Sequence, residues 1–369
     1  MRLFLYIILA LLPLHVMAKS TLATANADNE QQLLKLLDSY IDKRNTYSEI
    51  KEEKIKKLKL KLRTADNNSS RLSLLNTIYH EYYTYSYDSA MVYANRGLAL
   101  AQSVNNAYYT TLNRINRAAV LSTGGFYSQS EKLLQEIDTK IIPTQLLQYY
   151  YYTTTWLYNY WESFCKDSEF KNYYHQKRYH FLKLAVEATD HNNVALHAYL
   201  SGELVFLENS LSRTVLHQYM KALNNSNINI RVHASSAYGI ARYYREMGNM
   251  QLYEKYIIEA AISDMVCPLK ENLALQELST YLYKKDSKYA DRAARYIYCS
   301  MEDAQFYNNR LRMLEISSIL PIIATANQEA LAHKERIVRG VLAVVSVLSL
   351  VLLGMALLGY KQNKWLVRS

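Results

Sequence analysis

Two segments of the chain share one spacing of small and aromatic residues, and this spacing constrains the fold more than any other feature. The two series are Ala118, Leu121, Gly125, Ser130, Leu134, Ile137 and Ala241, Tyr244, Gly248, Tyr253, Ile257, Ala260. In both series successive residues lie 3, 4, 5, 4 and 3 positions apart. Intervals of three and four place residues on one helix face, and glycine accepts the left-handed conformation at a helix end. Each segment is therefore predicted to form a helix, a glycine turn and a second helix packed back on the first. The predicted packing positions are Ala118, Gly125, Ala241, Tyr244, Gly248 and Ala260.

Weaker copies of this pattern fill the rest of residues 71–300. Equivalent positions of the second helices are Ala90, Ser130, Val215, Tyr253 and Ala290, at intervals of 40, 85, 38 and 37 residues. The longest interval holds an additional pair, so the pattern predicts six helix pairs. The pattern resembles the tetratricopeptide repeat (TPR), whose unit has about 34 residues. The longer unit here favours a TPR-like array, with HEAT-like packing as the alternative.

Composition and motifs argue against several other classes of protein. The 369 residues contain 9 glycines and 4 prolines, whereas average usage would give about 26 and 18. β-Sandwiches, barrels and Gly-rich nucleotide loops need such turn residues. The GxSxG, HExxH, Walker and GxGxxG motifs are absent, and the nine histidines are scattered. We therefore predict no catalytic residues, no metal site and no cofactor. The less favoured alternative is a glycan-active enzyme with carboxylates on its concave surface.

Residues 1–18 have the pattern of a secretory signal peptide. One basic residue precedes an apolar run that begins at Leu3, and Val16 and Ala18 provide small residues for a cleavage site. An uncleaved membrane anchor is the alternative. Pro13 interrupts the run, which is also short for a span of about 20 residues.

The C-terminal region contains a second, longer apolar stretch. From Gly340 to Gly359 there is no charged residue, and a helix of this length matches a hydrocarbon core of about 30 Å. We predict a transmembrane helix over 338–360, a juxtamembrane helix over 301–337 and a short cytoplasmic tail over 361–369. An exported N-terminus would then place the main domain in the periplasm, held by a single pass through the bacterial inner membrane.

The predicted fold class is all-α. N-terminal helices over 19–70 precede a TPR-like α-solenoid of antiparallel helix pairs over 71–300, followed by a single transmembrane helix. The basic stretch from Lys51 to Arg63 is interpreted as an amphipathic helix that packs on the first turn of the array. The formal net charge of +10 fits attraction to anionic lipid headgroups. Direct binding of nucleic acid is rejected because the domain would lie outside the cytoplasm.

The densest aromatic cluster lies between residues 149 and 161. On a concave solenoid surface, stacked rings can bind a peptide or a sugar. The candidate ligand-binding residues are Tyr150, Tyr152, Trp156, Tyr160 and Trp161. Packing between helices is the alternative, because the 35 tyrosines of the chain need burial in any case.

Three cysteines, Cys165, Cys267 and Cys299, lie within apolar helical patterns. An odd number cannot pair fully within one chain. We predict buried free thiols, with a Cys267–Cys299 disulfide as the alternative.

The layout resembles a family of TPR-like membrane proteins of Bacteroidota with no assigned function. The resemblance rests on the signal peptide, the charged helix Glu49–Lys59, the helix start Tyr85-Ser-Tyr-Asp-Ser-Ala90 and the array that ends in one span. Such proteins, like related TPR-containing sensor kinases, usually continue past the span into a coiled coil and a DNA-binding or kinase output. This sequence ends nine residues after Tyr360. We therefore expect a relative without an output domain or an interrupted reading frame.

Together these features favour a membrane-anchored periplasmic protein that recognises a protein, peptide or glycan. It would form the sensory part of a signal-transduction or transcription-regulatory system. Transmission through one span would need a protein partner or a homodimer in the membrane. A structural adaptor of an envelope complex is the alternative function.

Overall fold

A computed structural model describes residues 30–225, 228–270 and 273–366, with side chains described as far as residue 356. This part of the chain is helical and contains no strand, which confirms the all-α prediction. The predicted signal peptide lies outside the described residues, as do the last three residues of the predicted tail.

The described residues form 15 α-helices and one short 3-10 helix, Ser287–Tyr289. The helices are α1 (Glu30–Asp42), α2 (Arg44–Arg63), α3 (Asn68–Tyr82), α4 (Tyr87–Ser103), α5 (Ala107–Thr123), α6 (Tyr127–Gln135), α7 (Thr144–Phe164), α8 (Ser168–Glu187), α9 (Val194–Glu208), α10 (Arg213–Leu223), α11 (Ile230–Glu246), α12 (Met250–Val266), α13 (Ala274–Lys285), α14 (Ala290–Tyr307) and α15 (Arg310–Leu366).

Polar residues just before the helices determine where many of them begin. The side chain of Asn67 accepts a hydrogen bond from the Ser70 backbone N–H at 2.8 Å, and that of Asn106 accepts one from Tyr109 at 3.0 Å. Such caps satisfy amide groups that have no partner within the helix. The same arrangement recurs before α8, α9, α10, α11 and α12 at Asp167, Asn193, Ser212, Asn229 and Asn249.

The six predicted helix pairs are confirmed as α3/α4, α5/α6, α7/α8, α9/α10, α11/α12 and α13/α14, each packed on its partner and its neighbours. In the two pairs with matched spacing, Gly125 and Gly248 have φ of 84° and 73°. This left-handed conformation is the one that glycine adopts without a Cβ penalty.

The predicted packing alanines are all buried, with exposed fractions of 0, 0 and 1 % at Ala118, Ala241 and Ala260. Small side chains at these positions let the paired helices approach closely. Tyr244 differs, because it is half-buried and stacks on Tyr256 with ring centroids 5.8 Å apart.

The first helix does not extend the array beside its sequence neighbours. Instead α1 crosses to the last pairs and packs on α12. Asp38 accepts hydrogen bonds from Arg292 at 2.9 Å and from the Tyr296 hydroxyl at 2.8 Å, and Glu30 pairs with Lys285 at 2.7 Å. The following helix, α2, packs on α3 as predicted.

A second set of contacts brings the end of the array back to its beginning. The Tyr307 hydroxyl, at the end of α14, donates to the Tyr83 carbonyl oxygen at 2.8 Å and lies 2.7 Å from the Thr123 hydroxyl. The Arg310 guanidinium lies over the Phe126 ring, 3.9 Å from its centroid. The first and last helix pairs therefore enclose the concave side of the array.

The C-terminal helix α15 has two environments. Its first turns pack against α13 and α14, where Ile316 and Ile323 are buried. Between residues 338 and 356 its apolar side chains are exposed, and the segment is long and apolar enough to cross a membrane. The predicted juxtamembrane helix over 301–337 is divided by Asn308, whose left-handed φ of 67° ends α14.

The three cysteines are free thiols, without the alternative Cys267–Cys299 disulfide. Cys299 is buried, whereas Cys165 and Cys267 are only half-buried. The prediction of burial therefore holds for one thiol of the three.

Candidate ligand-binding pocket

The enclosed concave side contains a pocket of about 450 Å³. Helices α7, α8, α9, α11, α12, α13 and α15 contribute to its walls. Its aromatic and charged lining residues are Tyr152, Trp156, Tyr160, Tyr199, Tyr238, Arg178, Arg231, Arg242, Arg312, Glu203, Glu277, Glu315 and Asp264. A volume of this size accommodates a small organic ligand.

The predicted aromatic cluster is divided between the pocket and the protein core. Tyr152, Trp156 and Tyr160 line the pocket because they recur every four residues along one stripe of α7. The Tyr150 hydroxyl donates to the Leu134 carbonyl oxygen at 3.3 Å, away from the pocket. Trp161 also lies outside the lining and stacks on Tyr174, with centroids 4.4 Å apart.

A buried carboxylate organises one wall of the pocket. Glu203, which is 4 % exposed, accepts hydrogen bonds from the Tyr219 hydroxyl at 2.7 Å and from Arg242. Arg178 pairs with the second oxygen of Glu203 at 3.4 Å and with Glu162 at 3.3 Å. Burial raises the pKa of Tyr219, and the Glu203 carboxylate raises it further, so the phenol stays a hydrogen-bond donor.

Close packing of aromatic and glycine residues positions this network. The Tyr219 ring lies between α9 and α11, where a Cβ built on Gly202 or Gly239 would come within 2.8 or 2.6 Å of it. Only glycine at both positions leaves room for the ring, which therefore holds the phenol against Glu203.

A second polar group forms the wall made by α11, α13 and α15. Glu277 accepts from the Tyr238 hydroxyl at 2.6 Å and from Arg245 at 2.9 Å. Glu315 accepts from Arg312 at 2.6 Å and from the Gln276 amide at 3.4 Å. Arg312 and Glu315 belong to the first turns of α15, so the helix that carries the apolar segment also lines the pocket.

Some buried polar atoms in this lining have no hydrogen-bond partner among the described residues. They are the Trp156 indole nitrogen, the Arg242 Nε atom and the Gln276 side-chain oxygen. Leaving a buried donor or acceptor unpaired costs about 1–3 kcal/mol. The side chains of these three residues belong to the pocket lining, although the atoms themselves are covered by neighbouring groups.

The aromatic stripe was evident from the sequence, but the charged residues that oppose it were not. In the structure Arg242 lies over Phe206, 4.5 Å from its centroid. A carboxylate within the apolar run of α9, at Glu203, is the one local indication of a buried ionic site. No group of three or more potential metal ligands occurs in the described ranges.

Comparisons with known proteins agree with this architecture. A search of curated proteins gave no match. The family model described as the SusR N-terminal TPR domain matches residues 41–318, about three quarters of the chain. The match confirms the resemblance to a TPR-like Bacteroidota family. Helical-repeat domains of this kind typically bind other molecules on their concave surfaces. From α2 to the first turns of α15, the chain belongs to the family of the SusR N-terminal TPR domain.

Proposed function

We propose that the protein is a membrane-anchored sensor that recognises a small neutral polar ligand, of the size and chemistry of an oligosaccharide, in the central pocket. One observation carries the proposal: α15 supplies Arg312 and Glu315 to the pocket wall and continues into the exposed apolar segment. A ligand in the pocket would therefore contact the helix that is proposed to cross the membrane.

The charges of the pocket favour a neutral ligand. Arg178 and Arg242 pair with Glu203, and Arg312 pairs with Glu315. Arg231 lies over the Tyr83 ring, 4.7 Å from its centroid. A charged ligand would have to compete with these interactions in a buried environment, where charges are costly to separate.

The uncharged groups of the pocket favour a polyhydroxyl ligand. Trp156 and Tyr152 present ring surfaces, and sugar rings pack their C–H faces on such surfaces. The indole N–H of Trp156 and the side-chain oxygen of Gln276 are unpaired, in contrast to the ion-paired groups around them. Hydroxyl groups both donate and accept hydrogen bonds, so they suit a lining that carries both donor and acceptor side chains.

Transmission would follow from a shift in the packing of α15. A ligand that contacts Arg312 in only one arrangement of the helix stabilises that arrangement. A shift of one transmembrane helix is transmitted only if a second helix in the membrane responds to it, and a homodimer or a partner protein would supply that helix.

Anchoring in the inner membrane, with the array in the periplasm, belongs to the same proposal. A topology reporter placed in the array, with activity that depends on the compartment, tests this orientation.

The binding proposal is tested with the full chain in detergent micelles by isothermal titration calorimetry. The probes are neutral di- to tetrasaccharides of glucose, mannose, galactose and xylose, with uncharged tripeptides as the comparison. At least one saccharide should bind, and Trp156→Ala should abolish its binding. Trp161→Ala, on the same helix but outside the lining, should leave it unchanged.

Three results would contradict parts of this proposal. Binding of tripeptides alone would replace glycan recognition with peptide recognition. Equal losses of saccharide binding in Trp156→Ala and Trp161→Ala would show that the pocket is not the binding site. A chimera that keeps the array and carries the span of an unrelated protein should lose its response in cells; full function would favour a structural adaptor.

A further inference from the structure

A second concave surface lies at the opposite end of the array from the apolar segment. A groove of about 430 Å³ is formed by the end of α2, the start of α3 and the end of α4. Its apolar floor consists of Leu62, Leu75, Ala99 and Leu100. None of its lining residues lines the central pocket.

The rim of the groove carries three arginines. Arg63, Arg71 and Arg96 are exposed, and no acidic residue is among the lining residues. Within the described parts of the chain, no ion pair joins any of the three to a carboxylate. Like charges held close together repel each other, so the cluster is complementary to a negatively charged partner.

Contacts within the protein hold two of these arginines in place. The Arg71 Nε atom donates to the Ala65 carbonyl oxygen at 3.1 Å. The Arg96 guanidinium lies over the Tyr93 ring, 5.1 Å from its centroid. Both guanidinium groups therefore keep N–H donors for an external acceptor while their stems are positioned.

The position of the groove argues against the anchoring bilayer as its partner. The C-terminal end of α3 meets the end of α14 through Tyr83 and Tyr307. Arg71 lies twelve residues earlier on α3, about 18 Å away along the helix. The other end of α14 faces the apolar segment, because Asp291 pairs with Lys334 of α15 at 2.6 Å. The groove therefore lies about 18 Å along α3 from the end of α14 that is farther from the apolar segment.

The aliphatic floor of the groove favours a protein partner over a sugar polymer. Its residues are aliphatic, without the aromatic faces on which sugar rings stack. An apolar centre with a charged rim is instead the usual arrangement of a protein–protein contact. We infer that this groove binds an acidic peptide segment of a protein partner, with its carboxylates on Arg63, Arg71 and Arg96 and an apolar side chain on the leucine floor.

The first experiment uses the full chain in detergent and an array of eight-residue peptides. Each peptide carries three Glu and two Leu, in all relative positions, within a Ser background. Matched arrays replace Glu with Lys or Leu with Ser. Retention on the Glu/Leu array alone is the expected result. No retention on that array, or equal retention on the Lys array, would overturn the inference.

The second experiment locates the binding with charge-matched variants. Fluorescence anisotropy of the most strongly retained peptide should show at least tenfold weaker binding to Arg63→Glu/Arg71→Glu/Arg96→Glu. The control is Lys57→Glu/Lys132→Glu/Lys171→Glu, which changes three exposed lysines outside the groove by the same total charge. The affinity of this control variant for the peptide should change less than twofold. Both variants should retain the far-UV circular dichroism spectrum of the parent protein.

Two outcomes would reject the groove or its partner. Equal weakening of peptide binding in the two variants would show that overall charge, and not the groove, accounts for the effect. Anionic phosphatidylglycerol vesicles or polygalacturonate that displaced the peptide better than the unlabelled peptide itself would show a lipid or polysaccharide partner instead.

Discussion

Replacing Glu203 with Gln tests how the ionic wall of the pocket is held together. The substitution keeps one oxygen that can accept the Tyr219 hydrogen bond, removes the charge and replaces the other oxygen with an NH₂ donor. Arg178 keeps a second carboxylate partner, Glu162, at 3.3 Å. Arg242 is therefore the arginine that loses its ion pair. Two unit charges about 4 Å apart attract by about 4 kcal/mol at an effective dielectric constant of 20. Removing one member of a buried pair costs about 3–5 kcal/mol, and Glu203 is 4 % exposed. We expect the free energy of unfolding to fall by about 3–5 kcal/mol.

Urea denaturation of the full chain in detergent, followed by far-UV circular dichroism, measures this loss. Glu277→Gln is the matched control, because its partner Arg245 is 41 % exposed and such pairs contribute about 1 kcal/mol or less. The double variant Glu203→Gln/Arg242→Met removes the uncompensated charge and should be more stable than Glu203→Gln alone. A cost below about 1 kcal/mol for Glu203→Gln, or a double variant less stable than the single one, would refute the reasoning.

Three further predictions concern packing, backbone and thiol chemistry. Gly239→Ala would press a methyl group onto the buried Tyr219 ring, and we expect thermal or urea denaturation to show a loss of about 1–3 kcal/mol. Gly248→Ala meets no atom within 4 Å but must adopt φ of 73°, so we expect a loss of about 1–2 kcal/mol in the same assay. Burial, with a smaller contribution from a nearby aspartate, raises the pKa of the Cys299 thiol to about 11. Because only the thiolate reacts, iodoacetamide at pH 8 should modify Cys299 much more slowly than the half-buried Cys165, and the rate at Cys299 should rise steeply towards pH 11. Peptide mass spectrometry measures both rates, and equal labelling at pH 8 would contradict the burial argument.

Local residue spacing was sufficient to predict the repeat architecture. The 3, 4, 5, 4, 3 intervals identified two helix pairs with their glycine turns, and weaker copies identified the other four. Helix periodicity and glycine turns depend on residues only a few positions apart, so a single sequence contains the information. The division of α7 into a pocket stripe and a packing stripe has the same cause. It could have been predicted from the four-residue spacing of Tyr152, Trp156 and Tyr160.

Contacts between distant parts of the chain could not be predicted in this way. The crossing of α1 to α12 and the return of Tyr307 to Tyr83 depend on the curvature of the whole array. That curvature accumulates from small rotations between successive helix pairs, which no local pattern specifies. The same curvature brings Glu203 of α9 and Arg242 of α11 to the pocket that Arg312 of α15 also lines. The sequence by itself thus determined the helices, their pairing and the apolar segment, because these follow from near neighbours. Only the tertiary structure decided which charged residues meet inside the array and that the C-terminal helix lines their pocket.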